Sequence, residues 1–174
     1  MSVYSLDALI EETRRLAAEF RRTTGTMLPV SAEIARYDVC HHLGLIPAET
    51  RGCGYDATGS GRLAGVKIQI KSRVIGEQLK SGHRIGQLNM EAHWDLVMLS
   101  LMDNEFEPLE IYALSREDIT QALKNNHKRS RRGAISIARC RIIGELLWTR
   151  EQGRERTAQA VTEVTVSGGS DSRC

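Results

Sequence analysis

The sequence lacks any run of the roughly 18 consecutive apolar residues that a membrane-spanning helix requires. It begins MSVYSLDALIEETRR, with acidic residues where a secretory signal peptide has a basic region and then an apolar one. We therefore expect a cytoplasmic protein that does not enter a membrane. The chain has 174 residues, of which 41% are hydrophobic and 26% charged, as in one ordinary globular domain.

The cysteines and histidines follow none of the spacings of common metal or redox motifs. None of the four cysteines forms a C-x-x-C pair with another, and none of the five histidines belongs to an H-E-x-x-H sequence. A zinc knuckle, a dithiol redox pair and a zinc-protease helix are therefore not indicated. We expect the cysteines to be small buried side chains, apart from Cys174 at the end of the chain.

The charged residues are unevenly distributed, although the net charge is only +2. Residues 62–84 contain six basic residues and one acid, and residues 124–132 contain five basic residues and no acid. Residues 103–118 instead contain six acids and one basic residue. This sorting predicts a basic face that can meet a polyanion such as nucleic acid, although solvated loops carry similar runs.

The pattern of apolar residues predicts helices and strands in a mixed order. Helical spacing predicts helices over 5–22 and 31–43, with Ser31 as an N-cap and with Gly25 and Gly44 as ends. Ser115 and Asp118 form a capping box that opens a short helix to Lys124. Apolar runs or alternation predict strands at residues 51–57, 64–73, 94–102 and 109–115.

The residue pattern in the last part of the chain predicts a short strand, a helix and a tail. Ile135 and Ile137 indicate a short strand, and residues 142–148 have helical spacing. We expect one α/β domain over 1–150, with an additional N-terminal helix at 5–22 and a mixed central sheet flanked by helices. Residues 151–174 contain few large apolar residues and predict a flexible tail.

The strand at 64–73 carries the first indication of chemistry. Its apolar face consists of Val66, Ile68 and Ile70. Its polar face consists of Lys67, Gln69 and Lys71. Gln69 and Lys71 must project together, because residues two apart on a strand share a face. The Gly-rich turn ATGSG folds the segment containing Asp56 back beside them.

A carboxylate, an amide oxygen and an ammonium group brought together suit phosphodiester hydrolysis. Mg²⁺ prefers hard oxygen ligands, which Asp56 and Gln69 can supply together with a phosphate. Lys71 can orient the attacking water or stabilise developing negative charge. Glu33, near the start of the second helix, can add a second carboxylate, although an acid there also favours the helix dipole in any protein.

The Asp, the later Gln-x-Lys and the upstream helix Glu resemble the PD-(D/E)XK nuclease superfamily in its variant with Gln. The stretches GYDA, VKIQIKSR and WDLVMLSLMDNEFEPLEIYAL are similar to Mrr-like restriction endonucleases and related bacterial domains. The resemblance covers roughly residues 30–148. It implies a restriction-endonuclease-like αβββαβ core, Mg²⁺ with Mn²⁺ as a substitute, and endonuclease activity on DNA. Asp56 and Gln69 would bind the metal, and Lys71 and Glu33 would complete the catalytic set.

Two departures from the superfamily pattern bear on this reading. Tyr55 stands before Asp56 in place of proline. Gln69 replaces an acid, which removes one negative charge and weakens metal binding. A non-catalytic member of the same fold that binds nucleic acid or a partner protein is therefore an alternative, and an unrelated small α/β protein is another. An Asp-containing turn beside a solvent-facing strand would explain the motif residues without chemistry.

The resemblance also implies DNA as the partner. A double-strand cut favours a homodimer, but the sequence identifies no interface. Basic side chains near the motif and in the later basic run are the candidates for phosphate contacts, which weaken steeply with salt. They are Lys67, Arg73, Arg84, Lys128, Arg129, Arg131 and Arg132.

Overall fold

The computed structural model of the chain describes residues 5–50, 52–76, 83–86, 88–124 and 134–152. It contains four α-helices within these residues: α1 (Leu6–Thr24), α2 (Ser31–Leu43), α3 (Arg116–Lys124) and α4 (Ile137–Ile143). None of these described helices has the length and apolar character needed to cross a bilayer. The predicted tail lies outside the described residues from 153 onward.

The eight strands of the described residues form two sheets. They are β1 (Ile46–Pro47), β2 (Ala57–Thr58), β3 (Lys67–Val74), β4 (Arg84–Ile85), β5 (Leu96–Met102), β6 (Pro108–Ser115), β7 (Ile135–Ser136) and β8 (Glu145–Thr149). Six of them form one sheet in the order β1-β2-β3-β5-β6-β8, and β4 pairs with β7. β3 and β5 are parallel, and every other neighbouring pair is antiparallel. The predicted α/β class with a mixed sheet is confirmed.

The sheet is covered by helices on both faces. One hydrophobic core packs helices α1 and α2 against the face that contains Ile68 and Ile70. A second core packs α3 and α4 against the face that contains Val97 and Leu99. All residues of β5 are buried, as its continuous apolar run predicts for a strand covered on both sides.

The helix ends follow the predicted signals with one exception. Gly25 and Gly44 adopt left-handed conformations, with φ of 71° and 62°, and end α1 and α2. Ser115 accepts a hydrogen bond from the Asp118 amide, as the predicted cap requires, and the Asp118 carboxylate accepts one from the Ser115 hydroxyl and not from its backbone amide. Ser31 is the first residue of α2 and not its N-cap, because Val30 holds that position without a side-chain hydrogen bond.

Three predicted elements are wrong. Residues 52–56 form a turn, and β2 begins only at Ala57. Ile137 begins helix α4 and does not continue a strand. The predicted helix over 142–148 is strand β8 from residue 145, because Gly144 ends α4 and the following apolar residues pair with β6. Four apolar residues in a short segment fit either spacing, and the free edge of β6 decides between them.

A buried ion-pair network joins α1 to the rest of the domain. Arg14 and Asp38 are only 5% and 3% exposed. The two Arg14 terminal nitrogens donate to the Asp38 carboxylate at 3.3 and 2.9 Å. Arg14 also donates to the carbonyl of Phe106, a non-glycine residue with a φ of 63° in the turn between β5 and β6. Burial raises the pKa of the Asp38 carboxyl against the opposing effect of Arg14.

Arg14→Met is expected to lower the free energy of unfolding by about 3–5 kcal/mol, because it leaves Asp38 buried without its counter-charge. Urea denaturation measures this loss. The double variant Arg14→Met/Asp38→Leu should recover most of it, since both charges are then absent. Arg15→Met removes an exposed pair with Glu12 and should leave the unfolding midpoint nearly unchanged. A single Arg14 variant as stable as the wild type would contradict the assigned role.

Candidate active site at the edge of strand β3

Strand β3 loses its neighbour β2 after the first two of its eight residues. β2 pairs with β3 only through Lys67 and Ile68. The Asp56 amide then donates to the Ile68 carbonyl at 2.8 Å, and the Ile70 amide donates to Asp56 Oδ2 at 2.7 Å. The Asp56 carboxylate therefore takes the place of a backbone acceptor at the first position where β3 has no partner strand.

A second aspartate performs the same task on the other edge of β3. The Lys67 amide donates to Asp95 Oδ2 at 2.8 Å, and the Asp95 amide donates to the Lys67 carbonyl at 2.8 Å. Asp95 thus begins the parallel pairing of β3 with β5. The structural use of a carboxylate is common to both residues, so it does not by itself mark Asp56 as catalytic.

Gln69 lies half-buried on β3 with one end of its amide unsatisfied. Its Nε2 is 3.5 Å from the Gly54 carbonyl, a long hydrogen bond. Its Oε1 is buried and has no hydrogen-bond partner among the described residues. A buried amide oxygen without a donor is costly, so this atom needs a partner outside the described contacts.

Lys71 shares the face of Gln69, about 7 Å further along the strand. It is half-buried and makes no hydrogen bond or ion pair with another described residue. Ile70, between them, packs with α2 on the opposite face. Lys67 also lies on the Gln69 face, with its Nζ 5.6 Å from the centre of the Tyr55 ring.

Glu33 and Asp56 line the same cavity on the α2 side of the sheet. Both residues line a space of about 210 Å³, together with Arg36 and Ile70. Arg36 donates to the carbonyls of Asp56 at 3.2 Å and Ala48 at 2.6 Å, and so holds the loop before β2 against α2. The structure therefore brings Glu33 and Asp56 to one cavity. Gln69 and Lys71 are not among its described lining residues.

Sequence reasoning missed the part that Arg36 plays. The sequence does indicate that Arg36 lies near Glu33, because residues three positions apart on α2 face the same side of the helix. The partners of Arg36 are backbone carbonyls, however, and these leave no trace in a sequence pattern. The same holds for the Gly54 carbonyl beside Gln69.

The predicted phosphate-contacting residues divide into two groups. Arg73 and Arg84 are exposed on β3 and β4, and Lys67 is half-buried. The remaining four lie outside the described residues, namely Lys128, Arg129, Arg131 and Arg132. The described residues thus place one exposed arginine, Arg73, on the same strand and face as Lys71.

The cysteines and histidines of the described residues build no metal centre. No group of three or more His, Cys, Asp or Glu side chains suited to a metal ion occurs in the described ranges. Cys40 and Cys140 are buried as predicted, whereas Cys53 is only partly buried. Burial raises the pKa of the Cys40 thiol to about 11 and that of the Cys140 thiol to about 12. These thiols therefore stay protonated near neutral pH.

Comparison of the chain with protein-family models and with curated proteins gives no match. The likeness to the nuclease superfamily therefore stays a prediction that rests on the motif residues.

Asp56→Ala is expected to lower the free energy of unfolding by about 1–3 kcal/mol, because the Ile70 amide loses its acceptor. Asp56→Asn should cost less, since the amide oxygen can still accept that bond. Amide hydrogen exchange measures the effect directly: the Ile70 amide should lose protection in Asp56→Ala. In Asp95→Ala the affected amide should instead be that of Lys67. An Ile70 amide that stays protected without the Asp56 side chain would refute the contact.

Proposed function

We propose that the chain is a Mg²⁺-dependent endonuclease that hydrolyses DNA phosphodiester bonds, of the restriction or defence type. One observation carries the proposal: Asp56 Oδ2 is hydrogen-bonded to the amide of Ile70, the residue between Gln69 and Lys71. The carboxylate is therefore fixed at the edge of β3 beside Ile70, between the positions of Gln69 and Lys71. The same contact has a structural role, as the one between Asp95 and the Lys67 amide has, so the experiment below must separate the two roles.

Two oxygen atoms of the site fit a hard divalent cation. Gln69 Oε1 is buried without a donor. Asp56 uses Oδ2 for the Ile70 amide, and Oδ1 receives no hydrogen bond from a described residue. Together they would hold the metal, with water and a phosphate oxygen completing the coordination shell. A bound Mg²⁺ supplies Lewis acidity and a more acidic water.

The other residues of the site act on the phosphate and on the attacking water. The Lys71 ammonium has no described counter-ion, so its charge is available to a phosphate oxygen on which negative charge develops. Glu33 is exposed at the cavity that Asp56 also lines, on the α2 side of β3, so it can act on a water beside Asp56 but does not share a face with Gln69 and Lys71. Arg36 positions the Asp56 backbone and does not itself reach the reacting atoms in this assignment.

The order of elements supports a restriction-endonuclease-like core with one difference. Helix α2 precedes β1, β2 and β3, and β5 then lies parallel to β3, so the chain must cross over between them. The αβββαβ order has a helix in that crossover. The described residues of this crossover, 75–76, 83–86 and 88–95, instead contain the two-residue strand β4.

The decisive experiment incubates the full chain with supercoiled plasmid DNA and Mg²⁺ or Mn²⁺. We expect nicking or linearisation that EDTA abolishes. Lys71→Ala and Asp56→Asn should each reduce the rate by about 100-fold or more, because each removes a group that acts on the reacting phosphate or its metal. Circular dichroism checks that both variants remain folded.

Asp95→Asn is the matched control for Asp56→Asn. Both aspartates accept a hydrogen bond from an amide of β3, and both asparagines can keep it. Asp95→Asn should therefore cleave at the wild-type rate. Equal loss of cleavage in the two variants would assign Asp56 a structural role only, and intact plasmid with every metal would overturn the proposal.

A non-catalytic protein that binds nucleic acid is the second candidate. Gln69 at the acid position favours it, as does the lack of a three-residue acidic cluster in the described ranges. This candidate predicts salt-sensitive DNA binding without cleavage under any metal condition. Arg73→Gln should then weaken binding, whereas Lys71→Ala and Asp56→Asn would have no cleavage to reduce.

Gln69→Glu is expected to raise the affinity for Mn²⁺ by about tenfold or more, because it adds a negative charge at the proposed metal position. Isothermal titration calorimetry measures the affinity. Gln121→Glu adds the same charge at an exposed position on α3 and should leave Mn²⁺ binding unchanged. Similar Mn²⁺ affinity in both variants would place the metal away from Gln69.

A further inference from the structure

A second polar cavity lies beyond the candidate active site, where β3 ends. Its volume is about 390 Å³, within the range of ligand pockets. Its polar lining comes from α1, the start of α2, β3, the segment before β4 and the turn after β5. The residues are Arg21, Ser31, Ser72, Arg73, His83 and Asn104. None of the described lining residues is acidic, and two of them, Arg21 and Arg73, are positively charged.

Two lining residues, Ser31 and Ser72, have backbone amides without a hydrogen-bond partner among the described residues. β2 leaves β3 after Ile68, and the Asp56 side chain covers only the Ile70 amide. Because strand amides alternate between the two edges, the Ser72 amide points to the same uncovered edge. Ser31 opens α2 without a side-chain cap, and the first amides of a helix have no partner within it.

Two buried polar atoms at the cavity are unsatisfied. His83 Nδ1 and Asn104 Oδ1 have no hydrogen-bond partner among the described residues. Asn104 can present either its oxygen or its amide nitrogen by rotation of the side-chain amide. Arg21 donates to the Asn104 carbonyl at 3.1 Å, which holds the Arg21 guanidinium at the cavity with donors to spare.

We propose that this cavity is a binding site for a phosphate group, either inorganic phosphate or a phosphate of a nucleic-acid strand. Arg21 and Arg73 supply charge-assisted hydrogen bonds. The hydroxyls and amides of Ser31 and Ser72 supply neutral donors. Ser72 lies on the same edge of β3 as the Ile70 amide that binds Asp56, so a bound strand would follow this edge toward Asp56. The cavity requires no metal and binds phosphate whether or not the chain cleaves DNA.

The test is a titration of the isotopically labelled full chain with inorganic phosphate, without divalent metal and at constant ionic strength. We expect saturable NMR shifts of the Ser31 and Ser72 amides and of the His83 imidazole. Arg73→Gln should weaken the affinity about tenfold, as expected for the loss of one charge-assisted contact. Arg139→Gln removes an exposed arginine outside the cavity lining and should not change it.

A second titration separates the two sources of phosphate. It compares an oligonucleotide that carries a 5′-phosphate with the same oligonucleotide ending in a hydroxyl group. Tighter binding of the first assigns a terminal phosphate to the site. The two oligonucleotides could instead bind equally, with inorganic phosphate displacing both and Arg73→Gln weakening both. That result assigns an internal phosphate of the strand to the site. Either result supports the proposal.

Absence of saturable shifts with phosphate, or equal affinities in Arg73→Gln and the wild type, would overturn the proposed site. Asp56→Asn should retain the phosphate affinity, because Asp56 does not line this cavity. Intact phosphate binding in a chain that never cleaves DNA would therefore remove only the nuclease proposal. Cleavage of DNA by a chain that does not bind phosphate would overturn only the proposed phosphate site.

Discussion

The architecture of this protein depends on how strand β3 satisfies its backbone on both edges. Its partner on one side, β2, contributes only two residues, and its partner on the other side, β5, begins in parallel beside it. For two amides that lack a backbone acceptor, those of Lys67 and Ile70, an aspartate side chain supplies one. A buried amide without an acceptor is costly, so these two carboxylates fix where the sheet begins and where its open edge lies.

The open edge explains why polar residues concentrate on one part of the molecule. Beyond Ile70, no described strand pairs with the edge of β3 that faces β2. The cavity lined by Glu33 and Asp56 and the cavity lined by Arg21 and Arg73 both lie along this edge. An exposed strand edge is usually protected by charged residues or by a covering segment. Here the neighbouring side chains are polar or basic, and α2 begins close by. The arrangement keeps backbone donors available without inviting another strand.

Much of the fold could be predicted from the sequence because its signals are local. The amphipathic spacing of α1, the glycines that end α1 and α2, and the Ser115–Asp118 box each depend on a few neighbouring residues. Strand β8 was wrongly predicted as a helix because its pairing with β6 depends on contacts about 35 residues apart in the chain. The alternation of β3 likewise predicted which residues share a face, and the hydrophobic cores agree with it. The cavity shared by Glu33 and Asp56, and the carbonyl partners of Arg36, involve long-range backbone geometry that no residue pattern records.

The ion pair between Arg14 and Asp38 places helix α1 inside the folded domain and so moves the N-terminal domain boundary before it. From the sequence, α1 is an addition that precedes the part resembling a nuclease. In the folded chain its arginine neutralises a carboxylate buried on α2 and binds the carbonyl of a left-handed residue in a distant turn. A shortened protein that starts after Gly25 would lose the counter-ion of Asp38 and the helix that packs against α2. The natural unit of folding therefore reaches back to the first helix, and a boundary placed by motif alone would divide it.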